Sequence, residues 1–166
     1  MSISDVLLPE FDQEMSTTRR LLERVPSDKF GWKPHAKSME MGRLAGHLAT
    51  LPGWTGVTLN TAELDFASGG YNPPKPTTNE ELVAIFDDEV TKARAALAAA
   101  KDETFLEPWT LRNGAHVIFT LPKAGVMRAF VLSHIIHHRG QLSVYLRLND
   151  IPVPSIYGPS ADEGGM

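Results

Sequence analysis

Ser133-His134-Ile135-Ile136-His137-His138-Arg139-Gly140-Gln141-Leu142 is the stretch from which the chain is read, inside an apolar segment from about Lys123 to Asn149. Three of the six histidines fall here within five residues. On a helix, which repeats about every 3.6 residues, His134 and His138 stand one turn apart on one face. Two imidazoles so placed can grip one ion, because each needs only about 2 Å to reach it. A third ligand has to come from elsewhere. His47, in Gly42-Arg43-Leu44-Ala45-Gly46-His47-Leu48-Ala49, is the best candidate and also lies in a helical pattern. The rest of the chain then serves to bring two helices together.

Bulk composition narrows the choices. At 166 residues the chain fits one domain, residues 1–166, with room for a real core. Apolar residues at 42% and charged residues at 22% are ordinary globular values, which argues against disorder. A net charge of −4 gives no basic face for nucleic acid. With no cysteine, any metal must be held by nitrogen and oxygen, and a thiol nucleophile cannot come from the chain. The start, Met1-Ser2-Ile3-Ser4-Asp5, lacks a signal-peptide pattern, and no uncharged apolar run reaches the ~20 residues needed to span a bilayer. A cytoplasmic protein without membrane contact is expected.

Apolar residues at Leu8, Phe11, Met15, Leu22 and Val25 predict an amphipathic helix over residues 4–24, with Pro9 tolerated near its start. An ordered loop anchored by Phe30 and Trp32 should follow. A second helix is expected after Ser38 as N-cap, with Met41, Leu44, Leu48 and Leu51 on its core stripe. His47 shares an adjacent stripe with Arg43 and Trp54, and Pro52, which cannot donate to the Leu48 carbonyl, should distort the helix one turn later. A loop over residues 68–76, Ser-Gly-Gly-Tyr-Asn-Pro-Pro-Lys-Pro, crosses the end of the fold. Thr78 and Glu81 form a capping box for a third helix running to about Ala100. Asn113-Gly114 marks a hairpin, and a last helix runs from near Pro122 to Asn149-Asp150. The pattern predicts an all-α four-helix bundle with a small β-hairpin before the last helix.

On a helical wheel, His134, His138, Gln141 and Tyr145 share a sector with Met127. A core stripe broken by such polar groups is costly unless they find partners. A metal satisfies both histidines, and a hydrogen-bonded core pair is the plainer alternative. His137 projects about 60° to one side, and spacing alone does not exclude it in place of His138. His35 and His116 fall in a loop and a hairpin, away from this pattern. Ile135 stands where a zincin protease needs its glutamate, and the Glu-x-x-His motifs of a di-iron site do not occur.

Leu44-Ala45-Gly46-His47-Leu48-Ala49-Thr50-Leu51-Pro52-Gly53-Trp54 resembles the first motif of the DinB/YfiT-like proteins. The stretch from His134 to Leu142, with Tyr145-Leu146-Arg147 and Pro152-Val153-Pro154 behind it, resembles their C-terminal signature. The likeness covers nearly the whole chain. It implies a four-helix bundle of DinB/YfiT type, usually a homodimer, with a divalent ion, commonly Ni2+ or Zn2+, held by His47, His134 and His138. The wider family includes S-transferases and isomerases that use low-molecular-weight thiols, and proteins described as metal-dependent hydrolases or as damage-inducible.

The leading expectation is therefore a metal-dependent enzyme acting on a small molecule, with a thiol as cosubstrate. Arg43 and Gln141 lie near the site by helical phase and are candidates to orient substrate, and Trp54 and Tyr145 are candidates to wall the pocket. The alternatives are a metal-dependent hydrolase, a metal-binding stress-response protein without turnover, and an ion that only pins two helices. Leu132 and Ile136 point away from the His134 stripe among Arg128, Arg139, Ser143 and Arg147, a sector read as a partner surface or as one covered by the hairpin.

Overall fold

Helix α1 (Ile3–Leu22) starts on a capping box, in which Ser2 Oγ accepts from the Asp5 N–H and Asp5 accepts from the Ser2 N–H. Pro9 falls on its exposed side, where the freed carbonyl meets solvent. The computed structural model describes residues 2–70 and 72–164, so Tyr71 of the crossover loop and the termini Met1, Gly165 and Met166 lie outside the described residues.

Helix α2 (Met41–Thr50) begins two residues later than the N-cap expected at Ser38 would place it. The residue before it, Glu40, makes no side-chain cap. The preceding loop does that work with its backbone: the Trp32 carbonyl accepts from the Met41 N–H at 2.7 Å and the Phe30 carbonyl from the Gly42 N–H at 2.8 Å. Gly42 is needed for this approach, since a Cβ there would sit 2.7 Å from Phe30 Cβ. Pro52 ends the helix more abruptly than a kink. A 3-10 turn over Leu51–Gly53 separates α2 from α3 (Trp54–Asn60). Thr50 Oγ1 donates to the carbonyls of Gly46 and His47, serving acceptors near the break.

Helix α4 (Asn79–Ala99) opens with the Thr78 hydroxyl accepting from the Glu81 N–H. Glu81 reaches back to Thr77 rather than to Thr78, and those hydrogen bonds hold its carboxyl below the usual range. After the short α5 (Asp102–Leu106), the Asn113-Gly114 hairpin forms as the sequence predicts: β2 (Pro108–Asn113) pairs antiparallel with β3 (His116–Pro122), and Gly114 takes φ +60°. A third strand, β1 (Glu63–Asp65), pairs parallel with β2 and gives the sheet order β1-β2-β3. Asp65 Oδ1 accepts from the Gly114 N–H at 2.8 Å and so pins the hairpin turn to this strand. Trp109 of β2 is fully buried and donates from Nε1 to Thr61 Oγ1.

The last helical run starts as one turn, α6 (Lys123–Gly125), widens into a π-helix over Val126–Leu132, and returns to α-geometry as α7 (Ser133–Arg147). A π-turn bonds i to i+5, so it shifts the face that residues before it present. Leu132 lies in the core at 1% exposure, on the buried side of the run that it shares with Ile135, Arg139 and Leu146. The sector read as a partner surface faces α1 and the C-terminal tail instead: Arg128 pairs with Glu10, Arg139 with Glu14, and Arg147 with Asp162. Asp150 in the left-handed region ends the helix, with the Ile151 N–H donating to the Leu146 carbonyl.

The helices close into a bundle in which α4 and α7 each pack against both α1 and α2. Leu7, Phe11, Met15, Leu44, Leu48, Phe86, Ile135 and Leu142 are among the residues filling its centre. Each fully buried Leu or Phe contributes roughly 1.5–3 kcal/mol. The sheet sits beside the end of the bundle where α3 and the π-segment meet. Among the described residues, no helix is long and apolar enough to cross a membrane.

Candidate metal centre

The adjacency of α2 and α7 carries His47 to the pair His134 and His138. One ring nitrogen from each lies within 4.8 Å of the other two. His137, on the same turn, is exposed and outside this group. His35 Nδ1 instead accepts from the Lys37 N–H in its loop, and His116 is exposed on β3.

His47 Nε2 and His134 Nε2 stand 3.3 Å apart. Two donors at about 2.0–2.1 Å on a tetrahedral ion are separated by roughly 3.3–3.4 Å, so this spacing fits a shared ion. His138 Nδ1 lies 2.7 Å from Gln141 Oε1. With that nitrogen donating, Nε2 keeps the free lone pair, the arrangement usual for a ligating imidazole. The buried Nδ1 of His134 has the Phe130 carbonyl one turn back acting on it, at a geometry short of a well-formed hydrogen bond. Phe130 itself packs against the His134 ring and against Phe119 of the hairpin, so the sheet supports the imidazole through one aromatic layer.

Protonation favours the same role. Burial, then the nearby charges of His138, His134 and Arg43, push the His47 pKa down to about 4. Burial also lowers His134 and His138, with His137 adding to both, while Gln141 partly offsets the effect on His138. In all three the lowering favours the neutral imidazole, which presents a lone pair. The cluster is capable of coordinating a divalent metal.

His47 also forms part of the wall of a cavity of about 790 Å³ that runs along α2 under residues 73–76. Arg43 lines it together with Gly42, Gly46 and Thr50, facing Lys75 and its flanking prolines. No carboxylate lies in this lining. The other pocket candidates sit differently. Trp54 lines a smaller neighbouring pocket and packs against Phe66, Trp109 and Phe130. Gln141 engages His138 rather than open space. Tyr145 donates to the Met39 carbonyl and meets Trp32 edge-on, so it braces the cavity wall from behind. Lys75 and Glu89, which line the two pockets, were not among the candidates; neither has a periodic or motif signal.

Residues 1–164 match the DinB family. An uncharacterized protein of Bacillus subtilis (strain 168), YrdA, is 25% identical over 159 residues, covering 96% of this chain and 90% of that protein. The crystal structure of a DinB-like protein from Bacillus cereus ATCC 10987 superposes with a TM-score of 0.71 at 20% identity, covering 94% of this chain and 98% of that one. A mycothiol-dependent maleylpyruvate isomerase shares the fold at a TM-score of 0.51 and 14% identity, over 90% of this chain and 64% of that one.

Proposed function

The chain belongs to the DinB family, and from that premise we propose that it is a divalent-metal-dependent enzyme that joins a low-molecular-weight thiol to an electrophilic small molecule. His47, His134 and His138 would hold the ion, with Ni2+ or Zn2+ as the expected metals for a three-imidazole set. The observation that carries this reading is the convergence of three imidazoles, of which His47 reaches the wall of a cavity with no carboxylate in its lining. A bound divalent cation supplies positive charge that favours the deprotonated form of a coordinated thiol or water. Hydrolysis would further benefit from a protein base to take a proton from water, and the cavity offers none; a thiol, far more acidic than water, has less need of one.

The chain's own residues then have distinct tasks. Gln141 fixes the His138 tautomer and ring plane. Phe130 holds the His134 ring in place. Arg43 and residues 73–76 line the substrate space. We also propose that two copies assemble as a homodimer, the commonest closed form. Since Leu132 is buried, the surface it would use lies elsewhere, and Val117, Ile118 and Leu121 on the free edge of β3 are exposed.

Metal analysis of the purified protein should find one divalent ion per chain. The metal-loaded protein is then mixed with a low-molecular-weight thiol and an activated aryl halide. Conjugation that depends on the ion is the expected result. Conjugation that is unchanged after stripping, or ion-dependent ester hydrolysis indifferent to any thiol, would overturn the transferase reading.

A further inference from the structure

We propose that the cavity along α2 binds the anionic group of a small organic acid, a carboxylate or a phosphate, with Arg43 as its anchor and Lys75 as the second cation. The proposal rests on the reading of this cavity as a substrate site. Its starting point is a pairing pattern. The chain has nine arginines. All of them except Arg43 form an ion pair with an Asp or Glu. The exposed Arg43 side chain makes neither an ion pair nor a hydrogen bond among the described residues, although acidic side chains outnumber basic ones by 20 to 16. Arg43 stands on the cavity wall one turn before His47. Lys75, likewise exposed and without an ion pair among the described residues, lines the cavity from residues 73–76.

Two cations lining one cavity without a carboxylate repel each other, though weakly where both are exposed to solvent. An anion between them removes that cost and gains charge-assisted hydrogen bonds. The guanidinium fork fits the two oxygens of a carboxylate or phosphate, and the ammonium adds a point charge. Gly46, between Arg43 and His47 in the lining, lets Pro76 pack close to the helix, since a Cβ there would sit 3.2 Å from Pro76 Cδ. Four residues along a helix span about 6 Å. The class that fits is therefore a small acid whose reacting centre lies a few bonds from its anionic group.

Binding of benzoate, phenyl phosphate and neutral benzamide is measured by calorimetry at equal ionic strength, on the zinc-loaded full chain and after stripping. The stripped protein separates the anchor from any direct coordination of the probe. At least one of the two anions should bind roughly tenfold more tightly than benzamide in both forms, and Arg43→Gln should abolish that preference. Lys75→Gln should weaken it a fewfold. Which anion binds better identifies the group. Equal binding of anions and benzamide by the stripped protein, or an unchanged preference in Arg43→Gln, would overturn the anchor. Zinc content is followed alongside: an anion preference without zinc retention sinks the metal-enzyme reading and leaves the anchor standing, whereas zinc retention without the preference sinks the anchor alone.

Discussion

Removing Arg139 should unfold this protein more readily than any single surface change. Its guanidinium is 1% exposed and lies 2.6 Å from Glu14 Oε2, which is itself buried. The same head group donates to the Glu14 carbonyl and to Thr18 Oγ1, and it sits over the Tyr157 ring at 5.0 Å from the centroid. Tyr157 in turn donates to Glu14 Oε1 at 2.8 Å. In Arg139→Met the Glu14 backbone carbonyl keeps the Thr18 hydroxyl as donor, and the carboxylate keeps only Tyr157. An uncompensated buried charge costs about 3–5 kcal/mol, and the remaining tyrosine bond places this case near the lower end. For a chain of this size that corresponds to a fall in Tm of roughly 6–12 °C. Replacing both partners, Glu14→Leu with Arg139→Met, should return stability to within about 1 kcal/mol of the parent. The assay is urea unfolding of the metal-stripped protein, followed by circular dichroism for the four corners of the mutant cycle. A single-variant loss below about 1 kcal/mol, or a double variant as weak as the sum of the singles, would refute the reasoning.

His138→Ala should lose most of its bound zinc while His137→Ala retains it, read by elemental analysis, because only His138 joins the convergent group. For the metal-stripped protein the pH dependence has a definite sign. His47 is lowered to about 4 in the fold, so the unfolded chain takes up its proton first, and stability should fall as pH drops from about 6.5 toward 4. His47→Gln should flatten that part of the Tm-versus-pH curve, and an unchanged slope counts against the assignment. Two glycines in helices should respond oppositely to alanine. Gly42→Ala drives a Cβ to 2.7 Å from Phe30 and should cost about 1–3 kcal/mol, while Gly140→Ala meets nothing within 4 Å and should gain up to about 1 kcal/mol in urea unfolding.

Long apolar stripes and strong local chemistry were legible in the sequence. The 3.6 period of α1 and α4, the Thr78 cap and the Asn113-Gly114 turn each rest on contacts within a few residues. The histidine cluster was legible for the same reason on α7, and His47 followed from its helical setting and the family likeness. What was hidden depends on distant partners. The first N–H groups of α2 are capped by carbonyls of Phe30 and Trp32, so Ser38 looked like the cap. Strand β1 is three residues long and exists only because β2 lies beside it. Arg139 looks like a surface residue until Glu14 arrives from α1.

The irregular backbone is concentrated where the ligands are, and this bears on how they are held. His47 lies between a helix start fixed by a foreign loop and a 3-10 break imposed by Pro52. His134 follows the π-segment by one residue, and Ser133 Oγ there donates to the Arg128 carbonyl. A π-turn costs hydrogen-bond quality and persists only where its surroundings hold it, often at functional sites. Here it does two things at once. It carries Met127, Val131 and Leu132 in the core, and it holds Phe130 between the hairpin and the His134 ring. One helical run thus buries Val126, Met127, Val131 and Leu132 in its irregular first half and still brings two imidazoles to His47 of α2.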